Sequence, residues 1–132
     1  MSPAIVLDAG ALIALDRNDR ETWAMLRVAA EAGSVILVPA GAIGQAWRDG
    51  KRQALLTRAL RHCDELAFDG LIARAAGLLC GQTGTADVID ATVALAAAAA
   101  ARAGDAVLVT SDLDDMERLT SALATRLRIE IV

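Results

Sequence analysis

Residues 4–10 read Ala4-Ile5-Val6-Leu7-Asp8-Ala9-Gly10: four apolar side chains in a row, one acid, then two small residues. A short apolar run of this kind fits a strand buried on both faces, and the Asp-Ala-Gly step after it is where a helix or turn begins. The figure returns late in the chain, where Ala106 to Thr110 runs into Ser111 and Asp112. Strands buried on both faces belong to parallel sheets, whose strands are joined by helical crossovers. The segments between should therefore be mostly helical.

They read that way. Asp19 is placed to cap a helix through Glu31, with Trp23, Leu26 and Ala30 at roughly helical spacing and Gly33 as its stop. Ser34 to Val38 is a second buried strand limited by Pro39, and Ala40 to Asp49 has helical content despite Gly41 and Gly44. Another helix begins near Lys51. Cys63 to Phe68 is a candidate third strand whose acids mark an exposed edge. A helix from about Asp69 to Leu79 precedes a loop over Cys80 to Gly84, and Thr85 is expected to cap a long helix from Ala86 to Ala103 that Gly104 ends. Asp112 to Leu123 is a short helix and Leu127 to Val132 a final strand. The alternation predicts an α/β class domain with helices on both faces of a mostly parallel sheet.

The 132 residues suit one domain, and a 55% hydrophobic content supports a core without disulfides. Seventeen acids against 13 Lys and Arg leave a net charge of −4, so a global positive field is not how this chain would hold a polyanion, though a local basic patch is compatible with it. One Phe, two Trp and no Tyr make an aromatic stacking platform for single strands improbable; Trp23 and Trp47 read as packing or contact residues. Cys63 and Cys80 lie outside any CxxC pair, which suggests buried thiols and neither zinc nor a disulfide framework. The alanine-rich stretch from Ala91 to Ala101 is bracketed by Asp87, Asp90 and Arg102, well short of a membrane span. With no signal-like N-terminus, a cytoplasmic location and no membrane partner are expected.

The acids carry the functional signal. Asp8 and Asp112 follow strands, and Asp87 and Asp90 stand three residues apart, able to share one side of a helix. In a parallel sheet the carboxyl ends of the strands share one edge, and the crevice outside it is the usual ligand location. Carboxylates gathered there repel unless protons or cations compensate them, which suits a hard divalent cation such as Mg²⁺. Such a centre would orient a phosphate and promote its hydrolysis. The other reading stays open at this point: Asp is common after strands and in first helical turns, where it caps backbone N–H groups.

Three segments together resemble the PIN-domain family, more closely its VapC-type toxin branch: Ile5 to Leu15, Ala86-Asp87-Val88-Ile89-Asp90-Ala91, and Val109 to Met116. The resemblance implies a three-layer α/β/α domain with a mostly parallel sheet spanning residues 1–132. It implies a Mg²⁺-dependent, or Mn²⁺-dependent, endoribonuclease acting on structured RNA such as tRNA or rRNA, a cognate antitoxin over the acidic cleft, and commonly a homodimer. Carried over residue by residue, Asp8, Asp87 and Asp112 are the family's catalytic, metal-holding acids and Asp115 an additional one. The family's acid after the second strand is Gln45 here, an amide that offers an oxygen but no charge. Asp90 is expected to supply that charge from the helix. A chain weakened by Gln45 and acting by partner or RNA binding is the alternative.

Gln45, Arg48, Thr110 and Ser111 are candidate water or substrate contacts. Arg48, Arg52, Arg58 and Arg61 could form a local basic rim, though solvated helix faces account for them equally well. Thr110 and Ser111 could equally serve to position the loop before Asp112. His62, the single histidine, has no matching nucleophile motif, and Gly81 and Gly84 lack the Lys-Ser/Thr continuation of a phosphate loop.

Overall fold

The computed structural model describes residues 2–132. Five strands form one parallel sheet: β1 (Ala4–Leu7), β2 (Ile36–Pro39), β3 (Asp64–Leu66), β4 (Ala106–Thr110) and β5 (Arg128–Ile131), in the spatial order β3-β2-β1-β4-β5. The chain steps outward from β1 to β2 and β3, then returns to lay β4 against the other side of β1. Order reverses between β1 and β4, and that is where open parallel sheets place their ligand crevice. The register sets Leu7 opposite Val109, so Asp8 and Thr110 leave the sheet side by side.

Burial follows strand position. β4 is buried throughout and β1 nearly so, while the edges β3 and β5 are largely exposed. Among the described residues seven α-helices cover the sheet: α1 (Ala9–Asp16), α2 (Arg20–Glu31), α3 (Ala40–Ala46), α4 (Ala54–Leu60), α5 (Gly70–Thr83), α6 (Val88–Ala103) and α7 (Leu113–Ala122). α6 packs across β1, β2 and β4 with α5 and α7 beside it, whereas α1 packs against β1 and β4 and carries α2, α3 and α4. Ala91, Ala94, Ala97 and Ala98 of α6 are fully buried; their small side chains let its backbone lie close to the sheet. Among the described residues no single helix is long and apolar enough to cross a membrane.

Several sequence boundaries are corrected. α5 continues through Thr83 where a loop from Cys80 was expected, because Thr83 Oγ1 donates to the Leu79 carbonyl at 2.9 Å and Gly84, at φ 73°, ends the helix in the left-handed region. The cap of α6 is Asp87, with Thr85 instead beside the Thr83 hydroxyl. α3 stops at Ala46, and a 3₁₀ turn over Gly50–Arg52 precedes α4, which starts at Ala54 and not near Lys51. Both cysteines are free thiols, Cys80 buried and Cys63 partly so. Burial, with Glu65 and Asp64 nearby, pushes the Cys63 thiol up to about 12.

Candidate functional site

Three of the sequence-predicted acids sit at helix N-termini. Asp8 caps α1, accepting from Ala11 N at 2.8 Å; Asp87 caps α6, accepting from Asp90 N at 2.9 Å; Asp112 caps α7, accepting from Asp115 N at 3.2 Å. The capping reading of the acids therefore holds for all three side chains. Each carboxylate faces a positive helix end, which lowers the cost of gathering them.

Asp8 is the most deeply placed, at 4% exposure. Its second oxygen accepts from the hydroxyl of Thr110, which in turn accepts from Asp112 N at 2.9 Å. Thr110 is fully buried and ties the first acid to the loop that carries the third. Burial raises the Asp8 carboxyl above its ordinary value, against the opposing pull of the bonds from Thr110, Ala11, Ser111 and Gly10. Gly10 is required here: a Cβ on it would run into the side chain of Ser111 and stand 3.1 Å from the Ser111 backbone nitrogen. The first loop can approach the β4 loop only because residue 10 has no side chain.

Asp90 is the electrostatic focus. Burial raises its carboxyl from 3.8 to about 7, and the negative charges of Asp87, Asp8 and Asp112 push in the same direction, as does a hydrogen bond to Asp87. Five acids thus belong to one neighbourhood, since carboxylate oxygens of Asp90, Asp112 and Asp115 also lie within 4.8 Å of one another. Asp115 is half-buried, with Arg118 Nη1 at 3.8 Å. The donors are all oxygens, mostly charged, and Asp90, raised first by burial, is raised further by the charges of Asp87, Asp8 and Asp112. That chemistry fits a hard divalent cation.

The remaining candidates divide. Thr110 has the positioning geometry just described, and Ser111 is exposed and packed against Gly10. Gln45 is half-buried on α3, whose Gly41 packs on Ile89 at the start of α6. Arg48 turns back on its own helix, donating from Nη1 to the carbonyls of Gly44 at 3.1 Å and Trp47 at 2.7 Å. It finishes α3 and is not aimed at the acids. Arg58 faces α2, where Arg20 and Arg27 stand in the same groove. Those two arginines were not singled out from the sequence, although their separation of seven residues, two helical turns, is the signal that places them on one face.

No family model and no curated protein matches the chain. Solved structures do, ten chains in all. One belongs to VapBC2 from Rickettsia felis, crystallised bound to a DNA fragment from its promoter; the match covers 98% of this chain and 98% of that one, with a TM-score of 0.63 and 17% identity. At that identity what is shared is the fold, and it is the one the three sequence segments anticipated: this chain has the α/β/α fold of a VapC-type PIN domain.

Proposed function

We propose that the chain is a cytoplasmic toxin of the VapC kind, a metal-dependent endoribonuclease that hydrolyses phosphodiester bonds in structured RNA and is held inactive by an antitoxin. The observation that carries this reading is the convergence of Asp8, Asp87, Asp90, Asp112 and Asp115 where strand order reverses. Likeness in fold to VapBC2 supports the partner.

Asp8, Asp87 and Asp112, with Asp90 and Asp115, would hold Mg²⁺ or Mn²⁺. Bound there, the cation supplies positive charge to the phosphate and acidifies water. The chain's own residues do the rest. Thr110 and Ala11 N hold both oxygens of Asp8, so its orientation is set before substrate arrives. Asp90 holds or releases a proton near neutral pH, and would have to give it up to serve as a charged ligand. An antitoxin that covers the cleft would be favoured by placing a basic side chain among these acids.

A second reading rests on Gln45, which brings no charge from α3: a chain with weak chemistry that binds a partner or RNA. Incubating total cellular RNA with purified, partner-free protein decides between them. Discrete products that need Mg²⁺ or Mn²⁺, vanish in EDTA and vanish with Asp8→Asn establish the nuclease. Absence of cleavage by folded protein under all these conditions overturns it in favour of the binding role.

A further inference from the structure

Three arginines line a groove of about 700 Å³ between α2 and α4, whose walls include none of the five acids. Arg20, Trp23, Arg27 and Glu31 line it from α2, and Arg58 and His62 from the other side. The α2 residues recur every three or four positions and form one helix face; Arg20 and Arg27 stand about 10 Å apart along it. All three arginines are exposed, and among the described residues none of them forms an ion pair. Three guanidiniums face one carboxylate in this groove, on a chain whose acids outnumber its Lys and Arg 17 to 13.

The walls are fastened to the helix that begins at Asp8. Trp23 Nε1 donates to the Leu15 carbonyl at 2.8 Å, which fixes α2 to the end of α1. Gln53, buried at the start of α4, donates from Nε2 to Asp16 Oδ2 at 3.1 Å and to the Ala46 carbonyl at 2.9 Å. Both walls are thus anchored at the C-terminal end of α1, about 12 Å along that helix from its Asp8 cap. A strand engaged in the groove would lie against elements tied to the helix that Asp8 starts.

We infer that the Arg20, Arg27 and Arg58 groove is a phosphate-tracking surface that holds RNA beside the cleavage point. The inference rests on the ribonuclease reading for its biological sense, while its geometry stands apart from the acidic centre. It also answers an electrostatic requirement of that reading. A polyanion approaching five clustered carboxylates is repelled, and unpaired guanidiniums fixed nearby offset that repulsion and match phosphate oxygens in pairs. An acidic protein segment is the competing occupant. RNA is favoured because the charges are spread along the groove and not focused at one point, as a backbone of repeating phosphates requires.

The test measures binding in EDTA, with Asp8→Asn present in every protein so that no cleavage intervenes. The probe is a fluorescently labelled 12-nucleotide oligouridylate, followed by anisotropy over a range of salt. Removing three phosphate contacts should lower the log-log salt slope by about 2 and weaken binding about tenfold or more near 50 mM salt. The variant is R20A/R27A/R58A, checked by circular dichroism for unchanged folding; an equal change of net charge in R74A/R102A/R126A should leave the slope within about 0.5 of the parent. If both triple variants lose affinity alike, or the groove variant binds as its parent does, the inference falls. Loss of binding to an antitoxin with RNA binding intact also overturns it, in favour of a protein occupant. With Asp8 restored and Mg²⁺ present, groove-dependent binding without cleavage of total cellular RNA would remove the nuclease reading and leave the groove standing; cleavage and binding both unaltered by R20A/R27A/R58A would do the reverse.

Discussion

Replacing Asp90 by Asn should make the metal-free protein more stable, and only above a definite pH. In the unfolded chain the carboxyl titrates at its ordinary 3.8, and in the folded chain at about 7. Below about pH 4 both states hold the proton and the site costs nothing. As pH rises the unfolded state gives up a proton that the folded state keeps, so stability falls between about 4 and 7 and the loss is complete above that range. The full displacement corresponds to about 4 kcal/mol at 1.36 kcal/mol per pK unit. Asp90 is only half-buried, and Asp87 and Asp112 are exposed to solvent, so screening reduces the figure to about 1–2 kcal/mol. Asn keeps the size and an N–H donor for Asp87 while removing the charge. In EDTA at pH 8, Asp90→Asn should therefore raise the midpoint of thermal unfolding by about 4–8 °C, with no gain at pH 4. Millimolar Mg²⁺ should stabilise the parent more than the variant, since cation binding relieves in the parent the repulsion that the substitution has already removed. A variant no more stable than the parent at pH 8, or equally stabilised at pH 4, would refute the claim that Asp90 is where the acids' repulsion collects.

Thr110→Val should cost about 2–3 kcal/mol in urea unfolding, because Asp8 and the Asp112 N–H each lose a partner in a buried setting; Thr110→Ser should recover most of the loss, and equal behaviour of the two would deny the hydroxyl its role. Gly10→Ala should destabilise by about 1–3 kcal/mol through collision with Ser111, and adding Ser111→Gly should return part of that in calorimetry. Calorimetric titration with Mn²⁺ addresses Gln45: Asp90→Asn should weaken binding about tenfold, and Gln45→Glu in that background should recover affinity if α3 supplies a ligand position. No recovery would remove α3 from the metal site.

The strands β1, β2 and β4 were legible because each apolar run is short and is closed by an acid, by Pro39 or by the Thr110-Ser111-Asp112 step. Spatial order was not, since nothing local says that β4 inserts beside β1. The end of α5 was misread because Gly81 and Gly84 look alike in sequence. Only Gly84 takes positive φ, while Gly81 is an exposed helical position that tolerates the residue at about 1 kcal/mol. Capping was likewise assigned two residues early, both Thr85 and Asp87 being competent caps. At the site, the residue types were readable and their coupling was not. The bond from Thr110 to Asp8 spans 102 positions, and the upward displacement of Asp90 is a product of assembly. The arginine groove joins α2 to α4, so neither helix announces it alone.

Asp8, Asp87 and Asp112 each start a helix, and this changes what substitutions and drift at the site can reveal. Asn caps a helix about as well as Asp, whereas Ala forfeits about 1 kcal/mol per cap. Asp→Asn variants at Asp87 and Asp112 thus keep the cap while removing the charge, whereas alanine variants confound charge with folding; at Asp8 the amide also costs the second acceptor that Thr110 uses. Over generations, a descendant with no chemistry at the site would still be selected to keep side-chain oxygens at those three positions, merely to begin α1, α6 and α7. Asp90 and Asp115 cap nothing, and Asp90 costs stability while it stands there charged. An acid retained at position 90 among descendants would therefore be the most direct record of selection on the charge of the site.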